Sequence, residues 1–312
     1  MQMDHTHLLT VAIPTHNRAG LLRQTLESLT QVRLPAGFDW ELLVVQNNCS
    51  DDTPTMLTEF FARLPLRALS DARPGVNNAR NTAVEASRGE HIIFTDDDTL
   101  VCEEWLSAYA TAFTSFPDAD VFGGPIVPRF CSPPARWLLE ILPEVEGAYG
   151  SLERRGCGDA LSIGLHPYGA NMAFRTRVLH EWPFNPTLGP KGNSRINGSE
   201  TELILKLLAN GHTGRWVESA RVEHCIQEKQ MTTGFLRWYF TGYGASQAIM
   251  EPPEPDTKML WGRPRWLWKE LVTAEIQYHV RRVHASPKEW IRDLKHASIA
   301  RGQFTKHGKT FA

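Results

Sequence analysis

An α/β architecture, with a Rossmann-like, mostly parallel sheet flanked by helices and a helical C-terminal extension, is predicted by three observations. Short β-branched apolar runs recur through the first third of the chain, each followed by a polar turn and then by helical spacing. Strands alternating with helices at this rhythm build a doubly wound parallel sheet with right-handed crossovers. Past Gln227 the chain becomes aromatic and basic, with a clear break at Glu251-Pro252-Pro253-Glu254-Pro255. A length of 312 residues suits one large domain with an appendage, or two modest ones. The expected division is 1–225, in halves 1–100 and 101–225, followed by a mainly helical 226–312.

In order, Leu8–Ile13 reads as a buried first strand stopped by Pro14, with Thr15-His16-Asn17-Arg18 as a polar turn and Leu22, Leu26 and Leu29 at helical spacing. Leu42–Val45 is the next strand, Gln46 to Asp52 its turn, and Pro54 takes the first helical position. Asp52, just before Thr53-Pro54, is the expected helix cap. A third polar turn, Asp71–Gly75, leads into a helix whose Ala79, Ala83 and Ala86 form a small-residue stripe suited to lie against a sheet. Ile92-Ile93-Phe94 is a strand that runs directly into Asp96-Asp97-Asp98. Adjacent carboxylates repel, so folding alone does not favour them. At the carboxyl end of a strand they lie where ligands bind in open α/β sheets. Alternation places Asp96 and Asp98 on one face and Asp97 on the other. Oxygen ligands so arranged suit Mg²⁺ or Mn²⁺, with phosphate oxygens filling the remaining sites; the plainer reading is a solvated acidic turn. Trp105–Phe116 then reads as a helix, Asp120–Val127 as a strand with a glycine bend, and Phe130 to Gly164 as an irregular segment over the cleft.

Composition excludes several classes. A formal net charge of −2 gives no reason to expect nucleic acid as a partner. The five cysteines are scattered without a C-x-x-C, so neither a disulfide framework nor a zinc site is indicated and a cytoplasmic chain is expected. Met1–His5 lacks a basic region before an apolar core, so no signal peptide is expected. No apolar run approaches the roughly 20 residues that cross a bilayer.

Ile13–Arg18, then Val44–Thr53, then Gly75 with Ala79-Arg80-Asn81, then Ile93–Asp98, resembles in order and spacing a family-two glycosyltransferase of the GT-A fold. The resemblance implies an inverting transferase that takes a sugar from a nucleoside-diphosphate donor (UDP-, dTDP- or GDP-linked) with Mn²⁺ or Mg²⁺ and passes it to a carbohydrate or lipid-linked acceptor. It implies that Pro14, Thr15, Asn17, Arg18, Gln46 and Asn48 border base and ribose. By the same resemblance Arg80 lies near base or phosphate, Asp96 and Asp97 on the nucleotide side, and Asp98 on the metal. Gln46 and Asn47 stand where the family usually carries aspartate, and amides still donate and accept hydrogen bonds. Each of these residues also has a plain reading: Asn17 and Asn48 as turn formers, Arg18 and Arg80 as surface ion pairs.

Later segments extend the resemblance to roughly the first 225 residues. Asn171, in Tyr168–Arg175, either meets sugar hydroxyls or closes a turn. Asn197-Gly198-Ser199-Glu200-Thr201-Glu202 opens a helix, where acids complement the dipole. Inverting transfer requires a carboxylate to take the acceptor hydroxyl's proton; the family's acidic motif falls on Glu200, with Glu202 as runner-up. His224, in Val222-Glu223-His224, is either structural or a metal ligand. Arg237 and Trp238 either clamp the diphosphate and stack on the acceptor or belong to an aromatic core helix. Residues 258–312 carry twelve Lys or Arg against four Asp or Glu, with Trp261, Trp266, Trp268 and Trp290. Such a tail either rests on the inner face of an anionic membrane or packs as a solvated helical pair. Two rivals remain. A nucleotidyltransferase shares paired aspartates but needs a glycine-rich basic loop that Pro14–Arg18 does not provide. A non-catalytic sugar- or nucleotide-binding module does not call for an acid at 200 beside Asp96 and Asp98.

Overall fold

The computed structural model describes residues 6–153, 160–162, 164, 166–189 and 198–307; Cys157 and Asn197 lie outside them. Strands β1 (His7–Thr15), β2 (Phe38–Asn47), β3 (Leu66–Asp71) and β4 (His91–Phe94) alternate with helices α1 (Ala19–Leu29), α2 (Thr53–Thr58) and α3 (Val76–Ala86). Then come β5 (Thr99–Val101), α4 (Trp105–Ser115), β6 (Val121–Gly123), β7 (Ile126–Phe130), α5 (Arg136–Val145), β8 (Met172–Arg175), α6 (Thr176–Glu181), α7 (Ser199–Ala209), β9 (Gly214–Trp216) and β10 (Val222–Ile226). The chain continues through α8 (Thr233–Met250), a short hairpin of β11 (Met259–Leu260) and β12 (Arg263–Pro264), α9 (Arg265–His284) and α10 (Pro287–His307).

Seven strands form one sheet in the order β3-β2-β1-β4-β8-β6-β9. β1 pairs in parallel with β2 and β4, and β3 runs parallel outside β2. β8 enters antiparallel between β4 and β6, and β9 returns parallel to β6. The sheet is therefore mixed and mostly parallel. Strands covered on both faces read as unbroken apolar runs, and Leu42–Val45 and Ile92–Phe94 are fully buried. Ala79 and Ala83 of α3 are buried against it, as their small size allows.

Between β7 and Gly164 the expected irregular segment is largely ordered. α5 contains Pro143 yet continues into a 3-10 turn, Glu146–Tyr149, and Leu152 bridges back to Ile126. The helix forms because Leu138, Ile141 and Val145 share one buried face; their burial outweighs the proline. Residues 154–159 and 163 of that segment lie outside the described residues.

By internal contacts the described residues divide into two units. One takes those up to Arg129, Gly150–Thr187 and Ser199–Cys225, and the other Phe130–Tyr149, Gly198 and Ile226 onward, with Leu188 and Gly189. Residues 130–149, expected in the first domain, thus join the C-terminal helices. In that second unit Leu138, Ile141, Leu236, Phe240, Tyr278, Ile291 and Leu294 make a core of their own. Gly244 of α8 and Gly302 of α10 let those helices cross closely: a Cβ at either would strike the other helix's backbone.

His91, at the start of β4, gives the first unit a pH dependence. Its ring is buried and stacked on Phe113, centroids 3.9 Å apart. Burial, reinforced by the Arg175 charge, pushes its pKa down to about 3 from 6.5. The unfolded imidazole therefore binds a proton that the folded one refuses. This stability is fully present above pH 6.5 and is lost as pH falls from there toward 3. Urea unfolding at a series of pH values should show roughly 3 kcal/mol lost from this source between about pH 7 and 4. His91→Leu should flatten that slope; an unchanged slope would refute the assignment.

Candidate active site

Because β1, β2, β3 and β4 run parallel, the turns that follow them gather at one edge of the sheet. The first turn is tied directly to the aspartates. The Thr15 hydroxyl donates to Asp97 Oδ2 (2.8 Å), and Arg18 Nη1 donates to Asp97 Oδ1 (3.0 Å) and Asp98 Oδ2 (2.8 Å). Asn17 has a left-handed backbone (φ 52°), and its Oδ1 accepts from the Ser50 N–H at 2.7 Å, joining the first turn to the second. Asn48 is also left-handed (φ 57°), as turn asparagines often are. Pro14 and Gln46 are half-buried beside them.

Asn47 and Asp51, neither of them an expected site residue, organise these turns. Asn47 donates to the carbonyls of Asp71 and Arg73 and accepts from the Gly75 N–H at 2.8 Å, fastening the second turn to the third. Asp51 accepts from Thr53 N–H and hydroxyl with one oxygen and from Ala19 N–H (3.0 Å) with the other, serving the starts of α2 and α1 together. The cap expected at Asp52 is therefore corrected to Asp51, since the Asp52 side chain makes no capping hydrogen bond.

β10 pairs antiparallel with β5 so that His224 stands opposite Thr99, and Cys225 N–H donates to the Asp98 carbonyl at 2.8 Å. That register sets His224 Nε2 at 3.3 Å from Asp98 Oδ1. Burial alone would raise the Asp98 carboxyl, but His224 and then Arg18 hold it well below the usual carboxylate range. Asp97 goes the other way. Burial pushes it up to about 6, although Arg18 pulls it down.

Glu200 is the second acidic pole. It lies in the first turn of α7, with Oε2 accepting from the Ser199 hydroxyl (2.6 Å) and Oε1 from Gly169 N–H (3.3 Å). Arg80 of α3 is 3% exposed. Its Nη1 donates to Ser199 Oγ (3.0 Å) and lies 3.6 Å from Glu200, while Nη2 is 3.9 Å from Asp96. A buried guanidinium between two carboxylates is no surface ion pair. Gly169 makes room for it, since a Cβ there would overlap Nη2. Burial pushes the Glu200 carboxyl up, yet Arg80, the Ser199 hydroxyl and the Gly169 N–H together hold it below its ordinary value. Burial pushes the Asp96 carboxyl up against the pull of Arg80, with smaller effects from Asp98, His224 and Glu200. Asp96, Asp98, His224, Glu200 and Arg80 therefore form one electrostatic cluster.

The remaining expected site residues are Asn171, Arg237, Trp238 and Glu202. Asn171 is fully buried: its Oδ1 accepts from Trp105 Nε1 (2.9 Å) and Tyr109 Oη (2.8 Å), and its amide donates to the carbonyls of Pro125 (3.0 Å) and Ala220 (2.6 Å). No donor or acceptor remains for a sugar hydroxyl, so that role is withdrawn. Asn171→Ala should cost about 3 kcal/mol or more in urea unfolding, because it strands buried groups of Trp105 and Tyr109; a loss under about 1 kcal/mol would contradict this. Arg237 belongs to the second unit, where Glu275 accepts from it at 3.1 and 3.2 Å and Tyr278 lies under its guanidinium. Those contacts give no support to the diphosphate clamp. Trp238, on α8 in the same unit, is 43% exposed and tilted against Phe235. Glu202 is half-buried on α7.

Among the described residues, no three His, Cys, Asp or Glu side chains already form a metal cage. The chemistry of the pair Asp98 and His224, with Asp96 close by, nevertheless fits a divalent cation: carboxylate oxygens and one imidazole nitrogen, the rest left to ligand oxygens.

The sequence pattern of Glycosyl transferase family 2 matches residues 10–181. The chain belongs to this family. Glucosyl-dolichyl phosphate glucuronosyltransferase of Haloferax volcanii is 24% identical over 246 residues, covering 76% of this chain and 73% of that protein. The probable glycosyltransferase YdaM of Bacillus subtilis is 30% identical over 83% of this chain, which spans only 54% of YdaM. Among solved structures, the mannosyltransferase PcManGT of Pyrobaculum calidifontis in complex with GDP-Man and Mn²⁺ superposes with a TM-score of 0.60 at 16% identity, covering 96% of this chain and 86% of that one. S. aureus TarS 1-349 in complex with UDP-GlcNAc superposes with a TM-score of 0.57 at 14% identity, covering 96% and 91%. At these identities the likeness establishes the fold, which is that of family 2 with C-terminal helices added.

Proposed function

We propose that this family-2 chain is an inverting, metal-dependent transferase that moves a sugar from a nucleoside diphosphate to an acceptor hydroxyl, with Glu200 as the base. One observation carries the reading: the acids of β4's end and of α7, far apart in sequence, meet at the sheet edge around Arg80. Asp98, with Asp96 and His224, would hold the cation, which when bound supplies Lewis-acid neutralisation of charge on the leaving diphosphate. Glu200 takes the proton of the acceptor hydroxyl as its oxygen bonds to the anomeric carbon. The bond from that carbon to the diphosphate breaks on the opposite face, and the electron pair leaves with the phosphate. Ser199 and Gly169 N–H orient the carboxylate, and Arg80 keeps it ionised. Thr15, Asn17, Arg18, Gln46 and Asn48 border the nucleotide. PcManGT holding GDP-Man and Mn²⁺ supports the donor class, and the Haloferax relative supports a lipid-linked acceptor.

A thermal-shift panel of UDP, dTDP, GDP and CDP, each with and without Mn²⁺, tests the donor site. Ligands that bind the folded form raise its melting temperature. One diphosphate should stabilise the protein by several degrees more with Mn²⁺ than without. If none does, the donor reading fails.

A further inference from the structure

We infer that the outward face of α9, with the β11–β12 hairpin, is a surface that docks on an anionic lipid bilayer. The inference rests on the second unit alone and is independent of the transferase reading. On α9, Val272, Ile276, Val280 and Val283 recur at helical spacing and are 56%, 58%, 58% and 74% exposed. Leu267, Ala274 and Tyr278 occupy the opposite, buried side. Packing within the unit thus uses one face of the helix, while the other presents β-branched residues to solvent. The hairpin adds Trp261, 76% exposed, whose left-handed backbone (φ 48°) precedes Gly262 (φ 72°). A bulky aromatic is disfavoured in that conformation. The hairpin is nonetheless anchored, because Trp268 Nε1 donates to the Leu260 carbonyl (3.1 Å) and its ring meets Phe304 edge-on at 4.7 Å.

Charge selects the occupant. Arg265 and Lys269 are exposed on the same side as the valines, and His284 is exposed in the last turn, where Arg281 meets Asp293 at 3.4 Å and Arg282 donates to the Tyr278 hydroxyl at 2.9 Å. The two carboxylates of α9 are engaged elsewhere: Glu270 contacts His296 at 3.0 Å, and Glu275 holds Arg237 and Arg301. An apolar stripe flanked by cations, with a tryptophan at its margin, has the chemistry of a helix lying in a lipid interface. A second copy of this chain would bring the same cations together, whereas anionic headgroups complement them. Among the described residues no helix is long and apolar enough to cross a membrane, so the contact is superficial.

The full chain should be sedimented with phosphatidylcholine vesicles, alone or with about one quarter phosphatidylglycerol. Partition is expected to be about tenfold higher on the anionic vesicles and to fall with added salt. The combined Trp261→Ser, Ile276→Ser and Val280→Ser variant should lose about tenfold of that partition with its thermal unfolding unchanged. Arg265→Glu with Lys269→Glu should remove the preference for anionic vesicles. Equal partition on both vesicle types, or none by the unaltered chain, would overturn the proposal. So would a concentration-dependent dimer, seen by light scattering, that the serine substitutions dissociate.

Discussion

Glu200→Gln is expected to lower kcat for sugar transfer by about 10²–10⁴-fold, or roughly 3–5 kcal/mol of transition-state stabilisation. Glutamine keeps the shape and can still accept from Gly169 N–H, so the fold and donor binding should survive. What it loses is the ability to take a proton. The neighbours of Glu200 make this selective, because Arg80, Ser199 and the Gly169 N–H already hold the carboxyl ionised against the effect of burial. The same bias predicts no acidic limb near neutrality in the pH profile of kcat/KM from this group. Glu202→Gln, half a turn further along α7, should change kcat only a few-fold. Near-normal turnover in Glu200→Gln, or a larger loss in Glu202→Gln, would move the base elsewhere.

Asp98→Asn should abolish transfer and, unlike Glu200→Gln, remove the Mn²⁺ dependence of nucleotide binding. Asp98 is where the first turn, β5 and β10 converge: Arg18 on one oxygen, His224 at the other, Cys225 N–H on its carbonyl. An amide preserves the volume and the backbone link but carries no charge to hold a cation or to pair with Arg18. A fall in melting temperature is therefore expected as well, so nucleotide binding must be read at a temperature where the variant is folded. Steady-state kinetics with saturating Mn²⁺ should show a loss of at least about 10²-fold in kcat/KM. Retention of metal-dependent activity would separate Asp98 from the metal.

The parallel half of the sheet was legible because strands buried on both faces must be apolar throughout, as Leu42–Val45 and Ile92–Phe94 are. β3 carries no such run: it is an edge strand, with Arg67 and Ser70 among its residues, and only the turn that follows it is marked in the sequence. The antiparallel entry of β8 left no local trace, since strand direction depends on partners far along the chain. α5 was hidden by Pro143, whose cost is outweighed only by contacts that the sequence does not display. At the site, the acids of 96–98 and Glu200 were recognisable from what carboxylates do. Asn171 looked functional because an amide suits sugar hydroxyls and Arg237 because a guanidinium suits phosphate; in the structure Asn171 is buried among Trp105 and Tyr109, and Arg237 is paired with Glu275. Asn47 was read as a departure from the family pattern, whereas its amide ties together two turns. For Arg80, expected near base or phosphate, the structure adds what no motif displays: its guanidinium is buried between two carboxylates.

Calorimetric titration of UDP and GDP into the unaltered protein, Asp98→Asn and Glu200→Gln, with and without Mn²⁺, tests the central claim most directly. Mn²⁺ should tighten one of these nucleotides by about tenfold or more in the unaltered protein and in Glu200→Gln, and leave Asp98→Asn unmoved. Binding indifferent to Mn²⁺ in the unaltered protein, or an undiminished Mn²⁺ gain in Asp98→Asn, would contradict it.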